Sequence, residues 1–302
     1  MRHETWVAER DDVVWAEHGI AALAGTFWLD GTARAFDGLP GEWRTDGGGA
    51  VGEIDGRMLR LHPGDEQLDG DLLLRGFARD GVVAVRVFDP AASTRRGISH
   101  IERFSYDPAL RVAGRFTPAE DEESSESVDG HRCERVYDGV VDVDSLGIRI
   151  TVDKLDDGTL FATIADATAG TESYRFRHLR LPTPDSDGTV AVDFNLLALP
   201  PCAFSDHYVC VFPPVGNRLD IPLRGGEAVV AGSIGLARPD GQISLPPVTT
   251  GSPVSSPATR RTVSCPRRTT GPCKDVGLSC GRQNESQPIS GSARAMSWRA
   301  AT

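Results

Sequence analysis

Two cysteines and a histidine stand between two Pro-Pro pairs in PPCAFSDHYVCVFPPVGNRL, Pro200 to Leu219. Cys202, His207 and Cys210 follow the spacing C-x4-H-x2-C, with Asp206 beside the histidine. Thiolate and imidazole are good zinc ligands. A tetrahedral site needs four ligands, or three and a water, and strong zinc modules bring paired knuckles. Only these three donors are local, so Cys202, His207 and Cys210 are weak metal candidates and no metal is expected. A Cys202–Cys210 disulfide would require an oxidising compartment. A nucleophilic Cys202 or Cys210 would require an activating base, and His207 is near in sequence alone. The simplest reading is two apolar thiols packed beneath a proline-stiffened loop.

A second set of polar residues falls at predicted strand ends. In ADATAGTESY (Ala165 to Tyr174), Asp166 and Thr168 suit turn chemistry, and Glu172 could equally edge a pocket. Asn195 follows VDF, while Arg95, Arg96 and Arg218 could hold an anion or pair with surface carboxylates. The end of a barrel or sandwich gathers such loops. Arg96, Asp166, Glu172, Asn195, Asn217 and Arg218 are therefore the candidate ligand-binding residues. The chain has no G-x-S-x-G, no H-E-x-x-H and no Gly-Lys-Ser/Thr phosphate loop. Three common enzyme readings lose their main support, and no cofactor is expected.

The elements that must carry these residues are mostly strands. The first segment is the exception: Trp6, Arg10, Val13, Val14 and Glu17 recur at helical spacing, and Gly19 is a plausible terminator. This helix is expected to lay Trp6, Val13 and Val14 on the body. From Ala21 the period shortens. LAGTFWL, RMLRLHP, DLLLRGFA and VVAVRVF are separated by Gly, Asp and Pro, and two of the turns carry Asp-Gly, a strong hairpin signal. The same grammar returns in LRVAGRF, RCERVYDGVVDVD, GIRITVDKL, GTLFATIAD, ESYRFRHLRL and TVAVDFN. Ile148, Ile150 and Val152 alternate with Arg149, Thr151 and Asp153, as in a half-buried strand. AEDEESSES, Ala119 to Ser127, is acidic enough to predict an exposed loop.

The expected fold is all-β with a short N-terminal helix. Its boundaries are an N-terminal helix over 1–20, a small β-sandwich-like first unit over 21–96, and a larger antiparallel β-meander or barrel-like unit over 97–235. With 33 glycines and 20 prolines in 302 residues, the composition suits short strands and turns better than long helices. The remainder, 236–302, is expected to be a disordered tail. Of 32 basic and 43 acidic residues, eight and two fall in Gly251–Thr302, so that segment is +6 and the rest −17. Its Arg, Pro, Ser and Gly fit GC-rich DNA translated out of frame, the reading favoured by the abrupt end of the pattern; a basic disordered arm is the other. Cys265, Cys273 and Cys280 have neither paired spacing nor a nearby histidine.

A net charge of −11 opposes nucleic-acid binding, which needs a basic face. No stretch approaches the roughly twenty apolar residues of a membrane helix, and the charged N-terminus lacks the apolar core of a signal peptide. A cytoplasmic protein with reduced thiols is expected.

FWLDG, RVFDPAASTRRGISHIERFSYDPALRVAGRF, LFATIADATAGTESYRFRHL and VDFNLLALPPCAFSDHYVCVFPPVGNRLDIPLRGGE together resemble the bacterial family catalogued as domain of unknown function 1684. The resemblance runs from about Trp6 to Glu227. The family's end soon after RGGE implies that the tail is extraneous. Relatives tend to carry Tyr-Asn-Pro-Pro-Cys where this chain has Ala198 and Leu199 before its prolines. The family implies no activity and no catalytic residue. The first unit also resembles forkhead-associated phosphopeptide modules, but their phosphate-reading motif is absent and only Arg34 stands nearby.

The function expected from these observations is binding of a small polar or anionic ligand at strand-end loops. The alternatives are a hydrolase-like or metal-assisted enzyme using the Cys202/His207/Cys210 loop, and a phosphopeptide-type interaction module.

Overall fold

The computed structural model describes residues 2–232, and within them helix α1 (His3–Trp15) precedes a series of antiparallel strands. The first eight are β1 (Leu23–Trp28), β2 (Arg34–Phe36), β3 (Leu39–Asp46), β4 (Gly49–Ile54), β5 (Arg57–Leu61), β6 (Glu66–Asp69), β7 (Leu72–Arg79) and β8 (Val82–Phe88). They make two four-stranded sheets, β1-β8-β7-β6 and β2-β3-β4-β5. Trp43, Leu61, Leu74, Val85 and Val87 fill the space between them. The two Asp-Gly turns behave as their sequence predicts. Asp55 and Asp80 have φ of 49° and 50°, and Gly56 and Gly81 follow at 77° and 80°. Positive φ at both central positions defines the type I′ turn, whose twist matches the strands it joins.

A one-turn helix, α2 (Ala92–Arg95), and β9 (His100–Arg103) lead into the second unit. Its strands are β10 (Arg111–Glu126), β11 (Arg132–Val143), β12 (Ile148–Lys154), β13 (Leu160–Ile164), β14 (Arg177–Leu181) and β15 (Thr189–Asp193). They form one antiparallel sheet in the order β14-β13-β12-β11-β10-β15, curled into a nearly closed barrel. Inward residues such as Val141, Ile150, Val152, Leu160, Leu179 and Val192 make its core. The last strand, β16 (Glu227–Ala231), returns to pair with β9. A third apolar cluster joins the units: Leu23, Leu73 and Phe88 of the sandwich meet Phe176, Cys202 and Tyr208. The architecture is thus the expected all-β one, a sandwich followed by a barrel-like sheet. No helix among the described residues is long and apolar enough to cross a membrane.

Two expectations are corrected. The acidic run from Ala119 is not a loop; it is the outer half of β10, paired with β11 from Asp121↔Tyr137 to Glu126↔Arg132. A strand ladder needs only backbone groups; Glu126 also pairs across it with Arg132 at 2.8 Å, and Glu123 accepts from the Val215 N–H at 2.8 Å. In α1, Val14 is fully buried as expected, whereas Val13 points to solvent. Gly19 closes the turn after the helix. A Cβ there would lie 2.6 Å from the Val13 carbonyl oxygen, so a larger residue would push the chain off the helix end. The segment 236–302, with Cys265, Cys273 and Cys280, lies outside the described residues.

Candidate functional site

The predicted binding residues are divided among several places. Arg96 sits at the junction of the two units, exposed along much of its surface, and donates to the carbonyls of Ala21 and, at 3.0 Å, Leu23. Asn195 is fully buried; its amide oxygen accepts from the Asp107 N–H at 2.9 Å and its amide nitrogen donates to the Asp107 carbonyl at 2.8 Å. The other four lie on two connections that meet, the one after β13 with Asp166 and Glu172 and the one after β15 with Asn217 and Arg218, joined by the Ala165↔Arg218 bridge. There Glu172 makes a two-pronged exposed pair with Arg224 at 2.7 Å, and Arg218 is exposed. Asp166 and Asn217 are buried.

Asp166 carries out the turn chemistry expected of it and something more. One carboxylate oxygen accepts from the N–H groups of Thr168 at 2.9 Å and Leu223 at 3.1 Å; the other takes Arg177 at 2.5 Å. Both side chains of this pair are about 1% exposed. Burial alone would raise the Asp166 carboxyl, but the Arg177 guanidinium and the Thr168 N–H outweigh it and hold it below the usual range. Arg177 also donates to the carbonyls of Leu223, Gly225 and Glu227. The pair therefore ties segment 223–227 to the start of β14.

The outer face of β12, β13 and β14 should be solvated by its alternation, yet it is covered. Thr151 and Asp153 are more than nine-tenths buried. Segment 196–214 and α1 lie over this face and leave a cleft of about 200 Å³. Its walls include Trp6, Arg10, Tyr137, Leu199 and Phe212. The floor is set by register: Asp153 pairs with Phe161 and Phe161 with Arg180, and the next row pairs Thr163 with His178. The ring of His178 meets Phe161 edge-on at 4.9 Å and Phe176 at 6.2 Å. Burial, with Arg10 nearby, lowers its pKa to about 3, so the imidazole is neutral. Tyr137 also faces the cleft, and burial raises its phenol, which stays protonated.

Asn217 supports this floor from behind. Strands β12 and β13 pair only at Asp153↔Phe161 and Lys154↔Leu160, then diverge. The Asn217 carboxamide fills the gap like a peptide unit. Its oxygen accepts from Thr151 N–H at 2.7 Å, and its nitrogen donates to the carbonyls of Thr151 at 2.8 Å and Thr163 at 2.9 Å. Thr151 and Thr163 both border the cleft, so Asn217 fixes their positions without touching it.

The opposite wall is held by a clamp. Glu227 is fully buried, and its carboxylate accepts from Arg10 at 3.1 Å and from the Leu199 N–H at 2.6 Å. Arg10 in turn donates to the Leu199 carbonyl at 2.7 Å. Arg103, paired with Asp11 at 2.6 Å, approaches the same carboxylate at 3.4 Å. One residue earlier, Ala198 exchanges two backbone hydrogen bonds of 2.8 Å with His178 at the edge of β14. Gly226, at φ 71°, lets β16 begin this close: a Cβ there would lie 2.2 Å from the Leu197 carbonyl oxygen.

The opening cysteine–histidine motif does not converge. Cys202 and Cys210 are buried, and His207 is exposed with its carbonyl accepting from Thr26 at 2.8 Å. Among the described residues no three His, Cys, Asp or Glu side chains come together as metal ligands. Cys202 packs in the apolar cluster between units, with the Tyr174 hydroxyl 3.6 Å from its sulfur. Cys210 borders the cleft.

Sequence reasoning missed Arg10, Arg135, Asp153, His178 and Arg180, which the fold brings to this cleft. Arg10 lies on α1; the signal of the other four was present as charged and polar residues at alternate positions within strands, which also describes an ordinary wet face. Each guanidinium here has a carboxylate: Arg10 with Glu227, Arg135 with Asp153 at 2.8 Å, and Arg180 with Asp157. The arrangement can stack an apolar body on Phe161 and Trp6 and offer hydrogen bonds from Thr163 and His178.

Residues 97–228 match the family described as Protein of unknown function (DUF1684). The match begins at the second unit, later than the resemblance from Trp6 suggested, and ends one residue after Glu227. Among solved structures, the chain is similar to an uncharacterized protein of Haloarcula marismortui determined by solution NMR. That likeness has 29% identity, covers 44% of this chain and 79% of the other, and has a TM-score of 0.35. No curated protein matches the chain. Ala198 and Leu199, where this chain departs from the family pattern, both border the cleft.

Proposed function

We propose that the protein binds a small organic ligand in the cleft between the outer face of β12–β14 and segment 196–214. The observation that carries this reading is the covered polar row itself. Thr163 and His178 face a cavity instead of bulk water, beside the aromatic rings of Phe161 and Trp6. An apolar pocket with a few convergent polar groups is the usual form of a small-molecule site. Burying a row of polar side chains costs stability unless something uses them. Of the residues expected to bind, Asn217 contributes by holding Thr151 and Thr163 in place. Asp166, Asn195 and Arg96 hold the connecting segments. The proposed setting for such binding is the cytoplasm, where cysteines are kept as thiols.

A library of small ring compounds screened against the full chain by thermal shift tests the reading. Hits should raise the melting temperature, and Ala198→Phe, which fills the cleft from its wall, should abolish the shifts. An empty screen, or hits indifferent to Ala198→Phe, would remove the cleft as the binding site.

A further inference from the structure

The cleft's own chemistry narrows the ligand class, and the narrowing rests on the binding reading above. The three guanidiniums at its border are each matched by a carboxylate, from Glu227, Asp153 or Asp157. An incoming anion would therefore have to displace a carboxylate already in place, two of them buried, rather than neutralise a spare charge. At the floor the situation is reversed. Thr163 and His178 are direct cross-strand partners. Among the described residues, neither the threonine hydroxyl nor the imidazole nitrogens make a side-chain hydrogen bond, although both border the cavity. Together they offer a hydroxyl that donates or accepts and a neutral imidazole with one donor and one acceptor nitrogen. The apolar lining sets the rings of Trp6, Phe161 and Phe212 beside aliphatic side chains. A volume of about 200 Å³ is on the scale of the roughly 150 Å³ cavity that holds a single benzene ring.

We propose that the ligand is an uncharged, single-ring compound whose polar end is a neutral group, such as a carboxamide or hydroxyl, hydrogen-bonded to Thr163 and His178 with its ring against Phe161. Charged analogues of the same shape are discriminated against because the paired arginines leave no charge to receive them.

Benzamide and benzoate, alike in size and differing in charge, are the probes. Each is titrated by NMR against the full chain and against His178→Phe and Thr163→Val. Phe keeps a ring between Phe161 and Phe176, and Val keeps the shape of Thr. Benzamide should bind at least tenfold more tightly than benzoate, and each substitution should weaken benzamide tenfold or more while leaving benzoate unchanged. Should His178→Phe fail to fold, Thr163→Val carries the same comparison. Benzoate binding as well as benzamide, or benzamide indifferent to both substitutions, overturns the neutral-ligand proposal while leaving a binding cleft. Larger or charged library members binding where benzamide does not overturns it as well. No binding by any library member removes the binding reading and this proposal together.

Discussion

Arg10 and Glu227 lie 217 residues apart in sequence and meet at 3.1 Å, with the Leu199 peptide gripped between them. The contact ties the N-terminal helix to the last described strand through one wall of the cleft. Removing the buried carboxylate leaves Arg10 without a counterion and the Leu199 N–H without its acceptor, while Arg103 loses a 3.4 Å contact and keeps Asp11. Glu227→Ala should therefore cost about 3–5 kcal/mol. Glu227→Gln should cost less, since its amide oxygen still accepts from Leu199. Urea denaturation gives both values, and hydrogen exchange should show α1 losing protection first. A cost for Glu227→Ala below about 1 kcal/mol would mean that solvent screens the pair as it does at a surface.

Asn217 predicts an unusual order of severity. Asn217→Ala strands one N–H and two carbonyls inside a sheet, at about 1–3 kcal/mol for each group left without a partner. Asn217→Asp should be at least as damaging, although it is closer in shape: a carboxylate cannot donate to the carbonyls of Thr151 and Thr163, and it would be buried unpaired. Denaturation midpoints at pH 7 rank the two. If the aspartate variant proves near wild type, the carboxamide is not serving as a peptide unit between β12 and β13.

What the sequence made legible was local. The Asp-Gly turns at Asp55 and Asp80, the alternation in β12 and the Asx turn at Asp166 all depend on neighbours within a few residues, and the structure realises each. What it left illegible was which wet-looking face would be covered. Thr151 and Asp153 read as a solvent face because nothing in β12 announces that residues 196–214 will return over it. The acidic half of β10 misled for the opposite reason: composition argued against packing, but in a strand only alternate side chains turn inward, so Ser125 and Ser127 are buried while Asp121 and Glu122 stay in solvent. Asn195 and Asn217 drew notice as polar residues at predicted strand ends. That signal does not distinguish a side chain offered to a ligand from one donating to its own backbone.

The Asp166–Arg177 pair should be costly to break and should leave an acid signature. Asp166→Asn keeps an oxygen for the Thr168 N–H but leaves Arg177 buried without its counterion, at about 3–5 kcal/mol. The folded carboxyl lies below its ordinary 3.8, so its contribution is full above that pH and is lost as pH falls through the folded value. The stability gap between wild type and Asp166→Asn should thus be constant near neutrality and narrow only below about 3.8. A gap that narrows already at pH 6 would show that another group supplies the difference.

His178 gives the pH test of the cleft itself. Its imidazole stays neutral in the folded protein down to about pH 3, whereas the unfolded chain takes up that proton below about 6.5. Arg10 opposes protonation from α1, and the rings of Phe161 and Phe176 supply no countercharge. Between those two pH values the unfolded state binds more protons, so stability must fall as pH falls. The slope approaches about 1.4 kcal/mol per pH unit for one proton. His178→Phe removes this dependence and keeps an aromatic ring in place. Urea denaturation at half-unit steps from pH 4 to 8 should show the variant gaining on wild type steadily below about 6.5, with a constant difference above 7. Parallel curves would mean that His178 titrates like a histidine in water. The cleft would then be wet at its floor, without the neutral imidazole that selects an uncharged ligand.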